Sequence, residues 1–175
     1  QYWKTSSGIW THSLIDLSSF ADSTIQIAFF IHTEASWNGS NVSSGWYIDD
    51  ISIETGPMVF YNPENWESGF HNWYCDFSIW EIGAPNSGPG NAYNGNKCAC
   101  TILDGNYTDN RESRLISPFI VVPDISKNPA LRFWHWYSFS ANDYGNVQIR
   151  TKNGDWQVLS NNYSTTSSGV WSNAY

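Results

Sequence analysis

The sequence predicts an all-β protein, and specifically a β-sandwich of two antiparallel sheets. Aromatic residues make up 17% of its 175 residues and charged residues only 14%. This balance suits strands and turns better than helices, whose exposed faces usually carry Glu, Lys and Arg. Several segments alternate between apolar and other residues with a period of two, whereas no segment of ten or more residues has a helical period.

The first strands can be located from this alternation. The odd-numbered residues of 25–31 are all Ile or Phe, which predicts a strand with an apolar inner face. The preceding stretch, 16–20, is typical of a short turn that packs Leu17 and Phe20 beneath the sheet. A further strand is expected over 46–53.

The last third of the chain supplies a central strand and a hairpin. Residues 133–139 are apolar on both faces, as is typical of a central strand in a sandwich. Asn153-Gly154 separates two alternating runs and predicts a hairpin with a type I′ turn, which needs positive φ at both residues. Five prolines mark loops or strand ends: Pro85, Pro89, Pro118, Pro123 and Pro129.

A short sequence occurs at both ends of the chain. Residues 2–10, Tyr-Trp-Lys-Thr-Ser-Ser-Gly-Ile-Trp, reappear at 163–171 as Tyr-Ser-Thr-Thr-Ser-Ser-Gly-Val-Trp, 163 − 2 = 161 residues later. Residues 2–14 and 163–175 would therefore occupy the same place in one module. Because a single compact fold cannot use both, one copy is expected to belong to a neighbour, in a tandem array or a polymer.

The charge of the chain excludes some partners. A net charge of -8 argues against a nucleic-acid partner, which needs clustered Lys and Arg, and equally against an anionic membrane surface. No apolar run approaches the roughly 20 residues that span a bilayer. The charge is compatible with a bound cation and with an extracellular location.

Three cysteines are present, Cys75, Cys98 and Cys100. Cys98 and Cys100 are two residues apart, so on a strand they point to the same face, and either could form a disulfide with Cys75. The alternative is buried free thiols. A zinc site is disfavoured because three thiols lack an obvious fourth ligand.

Several segments, taken together, resemble one family. They are Gly45-Trp46-Tyr47-Ile48-Asp49-Asp50-Ile51-Ser52-Ile53, Asn65-Trp66-Glu67-Ser68-Gly69-Phe70 with Trp73, Trp80-Glu81-Ile82-Gly83, Ala92-Tyr93-Asn94-Gly95, Leu103-Asp104-Gly105-Asn106-Tyr107, Ser113-Arg114-Leu115-Ile116-Ser117-Pro118 and the strand 133–139. They are similar to the MAM-like jelly-roll modules of bacterial secreted proteins, including those that accompany immune-inhibitor-A-type peptidases and surface adhesins. The resemblance implies a jelly-roll sandwich and an extracellular or cell-surface location.

The order of these segments differs from that of the family. The segment resembling the closing strand lies within residues 1–56, and the segments resembling the opening part lie within 57–175. Residues 1–56 are therefore expected to be the closing half of one module and 57–175 the opening half of the next. Alternatively, the two together form one circularly permuted module with an overlapping end.

Two carboxylates in these segments suggest a metal site. Asp49 shares strand parity with Ile51 and Ile53, which should face the core, and a buried carboxylate is costly unless it is paired or binds a metal. The resemblance implies that Glu67 lies beside Asp49 and that both bind a structural calcium ion. Asp50 and carbonyl oxygens near 94–97 are further candidate ligands, since calcium prefers six to eight oxygens. The alternative is that these carboxylates accept backbone N–H bonds.

No catalytic motif is apparent, and the chain is not expected to be an enzyme. His135 lies between two tryptophans and is expected to be a strand residue, while His12, His32 and His71 show no pairing pattern. The abundant aromatic residues permit carbohydrate binding, because exposed Trp stacks on sugar rings.

The candidate sugar-binding residues are Trp37, in the loop 36–45, and Trp156, beside the hairpin turn. The alternative is that the tryptophans serve packing. The function expected first is a non-enzymatic extracellular repeat with a structural or adhesive role, whose main partners are neighbouring copies. The second is a carbohydrate-binding module appended to a secreted enzyme.

Overall fold

A computed structural model describes residues 10–35, 42–54, 64–77 and 79–167. In this part of the chain two antiparallel sheets pack face to face, and the regular elements are strands apart from two 3-10 turns. The predicted all-β sandwich is therefore confirmed. No helix of the described residues has the length and apolar character that a membrane span requires.

The described residues form twelve strands and two 3-10 turns. The strands are β1 Thr11–Asp16, β2 Thr24–His32, β3 Gly45–Glu54, β4 Tyr74–Cys75, β5 Glu81–Gly83, β6 Cys98–Cys100, β7 Glu112–Ile116, β8 Ile120–Val121, β9 Ala130–Ser138, β10 Tyr144–Thr151, β11 Gln157–Val158 and β12 Tyr163–Ser164. The turns are Ser18–Phe20 and Ile125–Lys127.

The strands are distributed between a five-stranded and a seven-stranded sheet. The order in the five-stranded sheet is β1-β9-β3-β6-β5, and in the seven-stranded sheet it is β11-β10-β2-β7-β4, where β12 also pairs with β10 and β8 with β2. Strands β1, β2 and β3 come from the first 54 residues. Two of them are interior: β2 lies between β10 and β7, and β3 lies between β9 and β6.

The hydrophobic core lies between the sheets. Ile25, Ile27, Phe29 and Ile31 of β2 are fully buried, as the alternation predicts. The Phe29 ring lies 5.0 Å from that of Phe133 on β9 and 5.6 Å from that of Trp46 on β3, both edge-on. Leu17, at the end of β1, is also fully buried in this core.

The predicted hairpin is present, but its turn differs. β10 and β11 pair antiparallel with Gln148 opposite Val158. Neither Asn153 nor Gly154 has positive φ, so the expected type I′ turn was wrong. The Gly154 N–H instead donates to the Thr151 carbonyl (3.1 Å), because the hairpin connection is longer than two residues and needs no left-handed pair.

Candidate functional site

The candidate site lies on the outer face of the five-stranded sheet. Tyr47 is opposite Trp136, and Asp49 is opposite Trp134, which puts these side chains on one face. Residues 84–97, called here the outer loop, cover this face. The outer loop joins β5 to β6, and its many Pro, Gly and Asn residues favour turns over strand pairing.

The position of Asp49 corrects the expectation from strand parity. Trp46 and Ile48 face the core, so Asp49 shares the outer face with Tyr47. The register of β3 against β9 shifts between Asp49 and Ser52, and Asp50 has φ of 50°. This β-bulge inserts an extra residue, which returns the following residue, Ile51, to the core. Counting residues by two across the bulge therefore gives the wrong face for Asp49.

Asp49 is fully buried and bonded to backbone amides. One oxygen, Oδ1, accepts from the N–H of Asp50 (2.9 Å), and Oδ2 accepts from those of Tyr93 (3.1 Å) and Asn94 (3.4 Å). Burial, and then the charge of Asp50, raise the pKa of Asp49 to about 8, although the amide bonds act in the opposite direction.

Asp50 lies in the bulge with an oxygen that lacks a hydrogen bond. The atom Oδ1 is buried and has no hydrogen-bond partner among the described residues. Burial raises the pKa of this carboxyl group, and a hydrogen bond to the Asn94 side chain counteracts part of the effect. Two neighbouring carboxylates in such surroundings repel each other when both are ionised.

Glu67 binds the same loop at a different point. Its Oε1 accepts from the backbone N–H groups of Asn96 and Lys97, both at 2.7 Å. These two bonds hold the pKa of Glu67 below its ordinary value. The Lys97 ammonium group donates to the Glu67 carbonyl (2.8 Å). Gly95 has φ of 68°, which favours glycine, and a Cβ there would lie 2.5 Å from Oε1 of Glu67, so another residue would have to displace that carboxylate.

The predicted ligands are thus partly brought together. Asp49 and Glu67 both hold backbone amides of residues 93–97, which is the alternative role expected for them from the sequence. Across the described residues, no three side chains of His, Cys, Asp or Glu are grouped closely enough to hold a metal ion. Calcium binding stays a prediction, and Asp50 Oδ1 is the acceptor that would gain most from it.

Aromatic contacts fasten the outer loop to the sheet. The Tyr93 ring stacks on Trp134, with centroids 3.9 Å apart and 13° between the planes. Trp10, just before β1, donates from Nε1 to the Asn91 carbonyl (3.1 Å) and meets Tyr93 edge-on at 6.3 Å. The outer loop therefore connects β1, β3 and β9 on the face opposite the core.

The three cysteines are free thiols in the structure. Cys98 and Cys100 are fully buried beside Tyr47 and Trp136 under the outer loop. Hydrogen bonding to Cys100, together with burial, raises the pKa of Cys98. Cys75 lies on β4 in the other sheet, so the structure does not bring it to the other two. Cys98 and Cys100 therefore serve as packing residues in this fold.

The candidate carbohydrate-binding residues were Trp37 and Trp156. Trp37 lies outside the described residues. Trp156 is half-buried on the outer face of the seven-stranded sheet, where the guanidinium groups of Arg150 and Arg114 lie 4.6 and 5.7 Å from its ring. Sugar binding by either tryptophan stays a prediction.

Sequence reasoning missed a hydrogen-bonded layer beneath Trp156. Arg150 donates from Nε and Nη2 to Oε1 of Gln26 (2.8 and 2.6 Å), and Arg114 donates from Nε to Gln148 (2.9 Å). Both glutamines are buried. The signal available was the occurrence of Gln and Arg at outward positions of β2, β7 and β10. It could not show that the Trp156 ring lies against both arginines.

The histidines lie in separate places. His135 is buried, as expected of a strand residue; its Nδ1 accepts from Trp46 Nε1 (3.2 Å), and its Nε2 lies 2.9 Å from Ser13 Oγ. Because an indole N–H only donates, this ring is neutral with its proton on Nε2. His32 and His71 pair with Glu112 and Glu64. His12 lies on β1, and its side chain is outside the described residues.

Comparison with known proteins gives one informative similarity. No family model matches the chain, and no solved structure matches it. Over 116 residues, 65% of the chain, it is 32% identical to a segment of Bacillopeptidase F from Bacillus subtilis (strain 168). The chain spans 8% of the length of that protein. The similarity and the two-sheet fold fit a β-module that corresponds to one segment of that protein.

Proposed function

We propose that this chain is a non-catalytic β-sandwich module of a larger extracellular protein, with a structural or adhesive role and with neighbouring copies as its main partners. The observation that carries the proposal is the place of β2 and β3, which belong to residues 1–56 but lie in the interior of sheets otherwise built mainly by residues 57–175.

The sheet order explains why such a segment suits a role between copies. Without β3, β9 would lose its neighbour towards β6; without β2, β10 would lose its neighbour towards β7. Unpaired interior strands expose backbone groups and the apolar core, so the block of residues 10–54 is needed to close the module. In a tandem array each such block would lie between two partly built sandwiches.

The similarity to a long peptidase supports a place within a larger protein. A module that covers 8% of such a chain fits an accessory part of a secreted enzyme as well as a repeat of a surface protein. Both settings are extracellular and need no catalysis by the module. The repeated sequence at residues 2–10 and 163–171 favours the repeat, because it implies consecutive copies.

We also propose a structural calcium ion next to the bulge of β3. Asp50 Oδ1 is buried without a partner, and the buried carboxylates of Asp49 and Asp50 both have raised pKa values. A cation would coordinate the unpartnered Oδ1 of Asp50 and would reduce the repulsion between the two carboxylates. Asp49 and Asp50 would hold it together with oxygen atoms of the outer loop, and Glu67 would fix that loop. The ion would supply charge and rigidity.

The coding sequence on both sides of this chain tests the proposal. We expect the residues after Tyr175 to repeat 15–54, including a second Gly-Trp-Tyr-Ile-Asp-Asp. Two consecutive periods would support the array. A following sequence with no copy of that strand would contradict it and leave an accessory module of a single copy.

A further inference from the structure

One edge of β9 carries two segments from opposite ends of the chain. β1 pairs with the first part of β9, from Asp16 opposite Ala130 to Thr11 opposite His135. Residues 165–167 pair with the last part of the same edge: Thr166 bridges Ser138, and the Ser167 N–H donates to the Tyr137 carbonyl (2.9 Å). β3 occupies the other edge of β9.

Both segments run in the same direction. Each is antiparallel to β9, so they lie end to end along one line. Ser167 reaches Tyr137 and β1 begins opposite His135, which leaves only the position of Trp136 between them. A chain that continued along β9 beyond Ser167 would therefore enter the place that β1 occupies.

From this arrangement we infer that the β9 edge is the junction between consecutive copies, where the strand of the next copy equivalent to Trp10–Asp16 takes the place of β1. The inference rests on the proposed role as a repeat module and names the contact through which that role works. The 161-residue offset makes Trp171 equivalent to Trp10 and residue 172 equivalent to Thr11. Four residues of sequence separate Ser167 from residue 172, whereas one extended residue, about 3.3 Å, would bridge the gap along β9, so length does not prevent the connection.

Specific contacts define the position that β1 occupies. Trp10 is held by the Asn91 carbonyl and the Tyr93 ring, while Ile15 is buried in the core. The second copy of the repeat brings Trp171 to the position of Trp10 and Ala174 to that of Ser13. The indole can therefore anchor either strand. The hydrogen bond between Ser13 and His135 is made by the first strand alone.

Because the edge accepts one strand at a time, the block of residues 10–54 has two ways to be used. It closes the sandwich that follows it in the sequence, as in this structure, or the sandwich that precedes it in the array. The same contact thus links copies head to tail.

A rescue experiment on the full chain tests the junction. Ser13→Pro with Leu14→Pro removes the backbone N–H groups of two adjacent residues, one of which must face β9. We expect this variant to melt about 5–10 °C below the parent chain. A second protein carries the same substitutions and an extension after Tyr175 with the sequence of Ile15–Asp22, which completes a second copy of the β1 strand. Its melting temperature should recover at least half of the loss.

The control is the extended variant with Ala174→Pro and Tyr175→Pro added, which should not recover. The inference is overturned if the extension restores nothing, if the control recovers equally, or if the first pair of prolines has no effect. Should the first variant fail to fold, regained near-ultraviolet circular dichroism in the extended protein is the readout. Association of separate residues 1–56 and 57–175 tests the module proposal itself, so failure of the rescue alone would reject only the junction.

Discussion

Tyr93 stacks face to face on Trp134, and the backbone N–H of the same Tyr93 donates to the buried carboxylate of Asp49. Tyr93 of the outer loop thus contacts an aromatic ring of the sheet and also donates a hydrogen bond to a buried carboxyl group of the sheet. The outer loop is therefore an integral layer of the fold, bonded to the residue that precedes the β3 bulge.

Tyr93→Ala should destabilise the protein by about 1–3 kcal/mol, because it removes the stacked ring from Trp134 and the edge contact with Trp10. Tyr93→Phe is the matched control: it retains the ring and should cost less than about 0.5 kcal/mol. Urea unfolding followed by tryptophan fluorescence measures both. Equal losses for the two variants would mean that the ring stack does not hold the loop.

Gly95→Ala and Gly90→Ala should have different effects. Both glycines have left-handed φ, 68° and 72°, but a Cβ on residue 95 would lie 2.5 Å from Glu67 Oε1, whereas one on residue 90 would meet nothing within 4 Å. The strain of left-handed φ costs about 1 kcal/mol in both. The extra loss in Gly95→Ala, about 0.5–1.5 kcal/mol, reports the hydrogen bonds to Asn96 and Lys97 that the displaced Glu67 carboxylate gives up, and identical melting temperatures would refute it.

Stability should fall as pH rises when a chelator is present. The pKa of Asp49 is about 8 in the folded protein, above its ordinary value of 3.8, so the folded protein binds the extra proton between these values. The stabilisation is complete below about pH 4 and is lost as pH rises through about 8, by an amount on the order of 5 kcal/mol. Asp49→Asn should remove the part of this slope that Asp49 contributes and leave the part that comes from the raised pKa of Asp50. Unfolding free energies at pH 5, 6, 7 and 8 test it, and a rise with pH would contradict the sign.

Calcium should stabilise the folded protein at the same site, and more strongly as pH rises. If the dissociation constant is about 0.5 mM, within the range of extracellular modules, then 5 mM calcium adds about 1.4 kcal/mol, or roughly 3–5 °C in melting temperature. The shift should be greatest above pH 7, where protons compete least, and Asp50→Asn should abolish it. A melting temperature that neither calcium nor chelator changes would reject the metal site.

The sequence was informative wherever one strand's own pattern decides its environment. The strands at 25–31 and 133–139 could be placed because alternate side chains of each fill the core. The hairpin at Asn153-Gly154 was located correctly, although its turn type depends on loop length. Local pattern was enough for these elements.

The remaining features depend on contacts between distant segments. Asp49 was assigned to the wrong face because a bulge at Asp50 interrupts the alternation, and no residue nearby marks it. Part of the outer loop was singled out by the family resemblance and as candidate calcium ligands, but the stacking of Tyr93 on Trp134, 41 positions later in the sequence, was not predicted. The position of Trp156 also depends on a distant segment, because the Arg114 guanidinium group that lies over its ring belongs to β7. Periodicity carries no information about such contacts.

The proposed repeat requires that residues 1–56 act as a separable block that closes residues 57–175. The most direct measurement is to produce the two segments separately, mix them, and record native mass spectra and near-ultraviolet circular dichroism. We expect a one-to-one complex with the spectrum of the intact chain, and no complex when the block carries Ile48→Asp in the core. If the segment 57–175 folds without binding 1–56, or if the mixed segments stay unassociated, the block is not needed to close the sandwich.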